Sequence, residues 1–286
     1  MTMAPTEHWA NVRDLRMRYL DWNGDGPPIL ALHGLASSAH WYDIVAPLLR
    51  DRYRIVAPDQ RGHGQTTQAS NGYGWHSVAS DAVGLLDLLG IEKAIVFGHS
   101  WGGNVAVATA AHYPERVAAL VMIDGGFFSP QMIPGATWEA FSQRLSPRDV
   151  SGTRAEFIAR MQGQLAMCWN DEIERIVQTM VYEEGGQIYD ILRPQNQAQV
   201  IRAMWDDPAS DAWCRIKCPS IIVPAGPSPD RANSDFAVSR RRMVNLAAEN
   251  IPNCRVHWIP ETVHDIGYHK PRELADAILA FLDDIG

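Results

Sequence analysis

Gly98-His99-Ser100-Trp101-Gly102-Gly103 is the stretch of this chain whose residue types and spacing speak most directly of chemistry. It follows the apolar run 94–97 and precedes a helix-like run over 104–113. A serine with a glycine two positions to either side, set between a strand and a helix, marks a tight turn that carries a nucleophile. In such a turn a Cβ at the flanking positions would collide with neighbouring backbone, so Gly98 and Gly102 are required there. Ser100 is thereby pushed above the carboxyl edge of a sheet, at the start of a helix whose free N–H groups favour a developing anion. A second stretch, His33-Gly34-Leu35, follows the apolar run 29–32. Gly34 lets the backbone turn so that the Leu35 N–H joins the Trp101 N–H as a two-donor oxyanion hole. The His33 side chain itself is read as structural.

Residues so placed need a sheet beneath them, and the chain supplies the pattern of one. Residues 29–33, 54–59, 94–98 and 120–124 are short, nearly all-apolar runs, suited to strands covered on both faces. Residues 12–22 alternate as a strand or hairpin. Between the runs lie helix-like segments at 41–49, 77–89 and 101–113, with Val78, Ala82, Leu85, Leu86 and Leu89 forming one apolar face. The alternation stops after Gly125-Gly126. From 127 to 213 no segment reads as a core strand, and helix-like stretches fall near 136–145, 154–169, 171–184 and 193–205. The β pattern returns at 220–226 and 255–260, with helical segments at 236–249 and 272–282. The expectation is an α/β fold with a mostly parallel central sheet flanked by helices. Its core is residues 1–126 and 214–286, interrupted by a helical insertion over 127–213.

Ala31-Leu32-His33-Gly34, Pro58-Asp59-Gln60-Arg61-Gly62-His63-Gly64 and the turn around Ser100 stand in the order seen in α/β-hydrolase fold proteins, which the chain resembles over essentially its whole length. The resemblance implies that 127–213 is the family's cap or lid. It also implies that Asp59 and Arg61 are structural turn residues, and that the chain order is serine, acid, histidine. Of the ten histidines, His257, His264 and His269 lie beyond the last plausible acid. His257 falls inside the expected strand and His269 precedes Lys270-Pro271 at a helix entrance. His264 lies in the loop Thr262-Val263-His264-Asp265, where its ring can swing to Ser100, take the proton and deliver it to the leaving group. The acid has three candidates. Family members commonly carry it as G-x-x-D after the penultimate strand, where this chain reads Gly226-Pro227-Ser228-Pro229-Asp230, one residue late, with Asp235 further along. The family's other arrangement places it after the preceding strand, where Val121-Met122-Ile123-Asp124-Gly125-Gly126 ends in a carboxylate; this favours Asp124.

Composition sets the outer bounds. The chain has 286 residues and a net charge of −8 without a block of like charge, which argues against a nucleic-acid partner. No apolar run is long enough to span a bilayer, the first residues lack a signal-peptide core, and a soluble, cytoplasmic protein is expected. Cys168, Cys214, Cys218 and Cys254 are too scattered for a disulfide framework, and neither a zinc motif nor a nucleotide-binding glycine loop occurs, so no metal or cofactor is expected. A serine nucleophile with a histidine base means acyl transfer through a covalent intermediate. A dehalogenase, which uses a carboxylate nucleophile, is disfavoured by the serine at position 100. Trp41, Phe127 and Phe128, with Met132 and Met161, are expected to line an apolar acyl pocket; Trp138, Trp169 and Trp205 fall in the insertion. The central expectation is hydrolysis of small to medium, largely apolar carboxylic esters. Alternatives are a proline-iminopeptidase-like aminopeptidase gripping its substrate with Glu183-Glu184 on a helix end, a lactone or carbon–carbon bond hydrolase, perhydrolysis, and a ligand receptor with slow turnover.

Overall fold

The computed structural model describes residues 4–133 and 135–286. Its strands are β1 (Thr6–Val12), β2 (Leu15–Asp21), β3 (Pro28–Leu32), β4 (Arg54–Pro58), β5 (Ala94–His99), β6 (Val117–Ile123), β7 (Val181–Glu184), β8 (Gln187–Asp190), β9 (Ser220–Val223) and β10 (Cys254–Val256). The helices are α1 (Ala46–Leu49), α2 (Trp75–Leu88), α3 (Trp101–His112), α4 (Trp138–Arg144), α5 (Arg154–Gln164), α6 (Asp171–Gln178), α7 (Pro194–Asp206), α8 (Asp235–Asn250), α9 (Ile266–His269) and α10 (Pro271–Ile285). Eight strands form one sheet in the order β1-β2-β4-β3-β5-β6-β9-β10. The β1–β2 hairpin and the β2–β4 pair are antiparallel, and every pair from β4 to β10 is parallel.

The period-2 geometry of β5 and β6 divides their side chains between two apolar clusters, one on each face. Val96, Leu120 and Met122 pack with Val78, Leu85 and Leu86 of α2 and Val244 and Ala247 of α8. Ile95, Phe97, Val121 and Ile123 pack with Ala46 and Leu49 of α1 and Leu274, Ile278 and Phe281 of α10. Each fully buried Val, Leu, Ile, Phe or Met side chain among them contributes about 1.5–3 kcal/mol. The sheet is therefore a rigid floor whose carboxyl edge, at His99, Ile123 and Val223, carries the loops described below. The expected helix over 41–49 divides into a short 3-10 turn, Ala39–Tyr42, and α1. The expected strand over 255–260 is shorter, ending at Val256, with one isolated parallel bridge between Ala225 and Ile259 beyond it.

The segment between β6 and β9 holds α4 to α7 and one feature the sequence reading missed. The helix expected over 171–184 ends at Gln178, and Val181–Glu184 pairs with Gln187–Asp190 as an antiparallel hairpin. The cause is Gly185-Gly186, both at positive φ (60° and 78°), which form the two-residue turn that a tight hairpin needs. Glu183 and Glu184 are thus exposed strand residues, and Arg154 lies 3.8 Å from the Glu183 carboxylate. Phe157, Ile173, Ile176, Val177 and Ile188 pack into the same cluster as Val121 and Phe97, while Phe141, Val200, Ile201 and Met204 join the opposite one. Polar bonds tie the segment to the loop before α2: Gln68 donates to the Ile191 carbonyl at 2.7 Å, and Gln199 to that of Ser70 at 2.9 Å. Among the described residues no helix is long and apolar enough to cross a membrane.

Candidate active site

Ser100 stands at the junction of β5 and α3 with φ 54° and ψ −120°, a backbone conformation that L-residues seldom adopt. What holds it there is close packing of backbone on backbone. A Cβ on Gly98 would lie 2.2 Å from the Gly102 carbonyl oxygen, and one on Gly102 would lie 2.2 Å from that of Leu32. The Ser100 N–H donates to the Ile123 carbonyl at 3.0 Å, so the turn is pinned to β6 as well.

Asp124 follows β6 directly, also at positive φ (46°), with its side chain fully buried. Its Oδ1 accepts the Ala225 N–H at 2.8 Å and lies against the Arg240 guanidinium; its Oδ2 faces His264 Nδ1 at 2.6 Å. His264 Nε2 is 2.9 Å from Ser100 Oγ. With Asp124 ionised, Nδ1 carries the ring proton and donates to the carboxylate, leaving the Nε2 lone pair to accept the Ser100 hydroxyl. Of the three acids considered, Asp124 is the one brought to His264. Asp230 is exposed in the turn Pro229–Arg231, and Asp235 is exposed in the first turn of α8.

The turn at Asp124 is locked to the serine turn through Gly125, where a Cβ would lie 2.0 Å from the Ser100 carbonyl oxygen. Gly125→Ala is therefore expected to destabilise the protein by about 3 kcal/mol, because only backbone can yield. Thermal unfolding should show a Tm loss of roughly 6 °C or more, and a loss under one degree would contradict this packing.

The loop bearing His264 is held from two sides. His99 Nε2 donates to the His264 carbonyl at 3.2 Å, and the His99 ring stacks on Trp41 with centroids 4.0 Å apart. Trp41 Nε1 donates to Asp265 at 2.9 Å. Trp41, 1% exposed, does not line open space; it is a support behind the histidine loop. Burial holds His99 near a pKa of about 3, so it remains a neutral donor.

His33-Gly34-Leu35 closes the other side. His33 is completely buried; its Nδ1 donates to the Gly34 carbonyl at 2.8 Å while Nε2 accepts the Gln60 N–H at 3.1 Å. Burial lowers its pKa to about 4, consistent with a neutral, structural imidazole. Neither the Leu35 nor the Trp101 N–H bonds an acceptor among the described residues. The Trp101 ring stacks on His63 at 5.2 Å. Asp59 and Arg61 are committed to scaffolding: Asp59 holds the Ala39 and Gln65 N–H groups and Arg18, and Arg61 pairs with Asp81 and Asp14.

Phe127 is buried, with the Arg240 guanidinium 5.5 Å from its ring centroid, and Phe128 is half-buried at 6.2 Å from Phe141. Arg240 is the residue of this constellation that sequence reasoning did not single out. Its position in α8 gives no local signal, because its partner is 240 − 124 = 116 residues away.

Half of the His264 side chain is open to solvent, but both ring nitrogens are taken up by Asp124 and Ser100. Desolvation of those enclosed nitrogens draws its pKa below the ordinary imidazole value; Asp265 opposes that shift and Arg240 reinforces it. The arrangement can activate a hydroxyl nucleophile at neutral pH and place an anion beside two free N–H groups.

A family model described as the alpha/beta hydrolase fold matches residues 27–181. The chain is 39% identical over 265 residues to the 2-(acetamidomethylene)succinate hydrolase of Mesorhizobium japonicum, covering 91% of this chain and 89% of that protein. A solved E-2-(acetamidomethylene)succinate hydrolase superposes with a TM-score of 0.81 at 25% identity, over 98% of this chain and 99% of that one. The soluble epoxide hydrolase of Corynebacterium sp. strain C12 is 34% identical over 135 residues, 47% of this chain and only 44% of that protein's length. With its sheet order and the matched segment, the chain belongs to the α/β-hydrolase fold family.

Proposed function

We propose that the protein is a serine hydrolase that cleaves carboxylic esters of small to medium, largely apolar acids through an acyl-enzyme intermediate. The observation that carries this reading is the unbroken chain from Ser100 Oγ to His264 (2.9 Å) to Asp124 (2.6 Å). His264 Nε2 takes the Ser100 proton as Oγ adds to the ester carbonyl carbon. The resulting oxyanion is held by the Leu35 and Trp101 N–H groups, each worth about 3–4 kcal/mol in the transition state. Collapse breaks the bond to the alkoxy oxygen, which leaves with the proton from His264. Water then enters, gives its proton to His264 and attacks the acyl carbon, and Ser100 recovers its proton as the acid departs. Asp124 holds the ring tautomer and balances the imidazolium. Phe128, half-buried, supplies apolar surface for the acyl group, while Phe127, buried against Arg240, and Trp41, behind the histidine loop, support the site.

The long relative whose name describes hydrolysis of an acetamidomethylene succinate favours a second reading, hydrolysis of an activated amide by the same acyl-enzyme route. Epoxide opening is disfavoured on chemical grounds: attack by Ser100 would leave a serine ether, which has no carbonyl for water to attack. The test is initial rates on p-nitrophenyl esters of graded acyl length, with an N-acyl enamine, an aminoacyl anilide and a lactone alongside. Ester turnover with an optimum at short or medium acyl chains supports the first reading. Selective turnover of the enamide favours the second, and turnover of neither, with Ser100 unlabelled by a fluorophosphonate, would overturn both.

His264 acts as a base only when neutral. Its lowered pKa means that kcat/KM should be at its full value above the ordinary imidazole range and fall as pH drops through a midpoint below about 6.5. A pH–rate profile checks this; a midpoint above 7 would contradict the environment described for the ring.

A further inference from the structure

Arg240 reaches from α8 into the back of the site, where its guanidinium pairs with Asp124 Oδ1 while Oδ2 faces His264. The side chain is 14% exposed, and its guanidinium lies close to the Phe127 ring at 5.5 Å and the Phe236 ring at 6.0 Å. Acyl transfer by a serine, a histidine and an acid does not call for a cation at this place. Its counter-charge is Asp124, which is itself required opposite the imidazolium.

We infer that Arg240 is a positioning residue of this site: it fixes the Asp124 carboxylate and limits how strongly that carboxylate draws a proton onto His264, so that His264 stays an available base in mildly acidic conditions. This rests on the acyl-transfer reading for its catalytic meaning, though not for its electrostatics. A cation on the far oxygen of Asp124 offsets part of the negative charge that an imidazolium would feel, and it repels that imidazolium directly. The other groups facing the ring do not replace it. His99, from the end of β5, lies 4.9 Å away by ring centroids and is held neutral by burial. Asp265, on the loop of His264 itself, favours protonation and is bonded to Trp41. Ser100 and the Ala225 N–H carry no net charge. Arg240 is thus the cation set against two carboxylates. Burial lowers its own pKa to about 10, which leaves it charged throughout the working range.

The test separates charge from packing. The His264 titration is followed by NMR of the imidazole in the whole protein, for wild type, Arg240→Gln, Arg240→Met and Arg240→Lys, with the acid limb of kcat/KM measured in parallel. In the two uncharged variants both midpoints should rise by on the order of one pH unit, so that kcat/KM at pH 6, taken relative to its own alkaline plateau, drops several-fold below the wild-type ratio, approaching about tenfold only at pH values below both midpoints. Arg240→Lys should return the midpoints most of the way to wild type. A residue that only fills space would change the plateau without moving either midpoint, and unchanged midpoints in a folded uncharged variant overturn the inference. Equal shifts in Gln, Met and Lys variants overturn it too, since packing would then be the cause. Failure of the hydrolase reading looks different: wild type would neither turn over substrate nor label at Ser100, while the NMR titration would still report the effect of Arg240.

Discussion

Ser100→Ala is expected to lower kcat on a responsive p-nitrophenyl ester by at least about a thousandfold while the fold stays intact. Removing the nucleophile of a serine–histidine–acid site removes the covalent route altogether, and what remains is binding and the oxyanion donors. The substitution deletes one exposed-edge oxygen and keeps the Cβ, so α3 and its junction with β5 retain their packing. The Ser100 N–H bond to Ile123 and the backbone contacts at Gly98 and Gly102 do not involve the hydroxyl. Circular dichroism and Tm should therefore match wild type. Residual activity above a thousandth of wild type would mean that Ser100 is not the nucleophile.

The second large effect is expected at Asp124. Asp124→Asn preserves shape but replaces the acceptor at Oδ2, which can present an N–H to His264 and stabilise the wrong ring tautomer. A loss of about 10⁴ in kcat is expected, from the lost tautomer control and lost balance of the imidazolium. The same change at Asp230 should alter kcat by less than about twofold, since that carboxylate is exposed in a surface turn. The comparison is sharper than either variant alone. If Asp230→Asn were the damaging one, the loop after β9 would have to move to reach His264. Asp124→Asn also leaves Arg240 without its counter-charge, so part of any stability loss belongs to that pair.

Much of this site is legible in the sequence because the chemistry dictates local residue types. A serine on a strained turn demands glycines at fixed offsets, and these are written at 98 and 102. The buried strand ahead of it is equally plain, since both of its faces are covered and every residue of β5 is apolar or tightly packed. His264 is readable as a loop histidine after the last strand. Asp124 is readable as the favoured of three carboxylates, and what separates it from Asp230 and Asp235 outright is the third dimension: the parallel β6–β9 register sets Ala225 beside it and the β10 loop across from it. Arg240 leaves no sequence trace for the same reason. Trp41 illustrates the opposite difficulty. An aromatic residue near a nucleophile suits a pocket wall, and only its stacking on His99 and its bond to Asp265 reveal a supporting role. The β7–β8 hairpin was concealed by the amphipathic stripe of α6, which continues in phase to Val181; the Gly185-Gly186 pair was the overlooked signal.

The epoxide hydrolase similarity shows why the fold alone does not decide the chemistry. The side chain at the serine turn determines what adduct forms and whether that adduct keeps a carbonyl for water to attack. Here that side chain is a hydroxyl, held 2.9 Å from an imidazole. The most direct measurement is therefore the adduct itself: rapid acid quench of the protein with an ester substrate during the pre-steady state, followed by peptide mass spectrometry. A burst of alcohol release and a mass gain equal to the acyl group on the peptide containing Ser100 are expected, both absent in Ser100→Ala. Turnover with no burst and no adduct, or an adduct on another side chain, would contradict it.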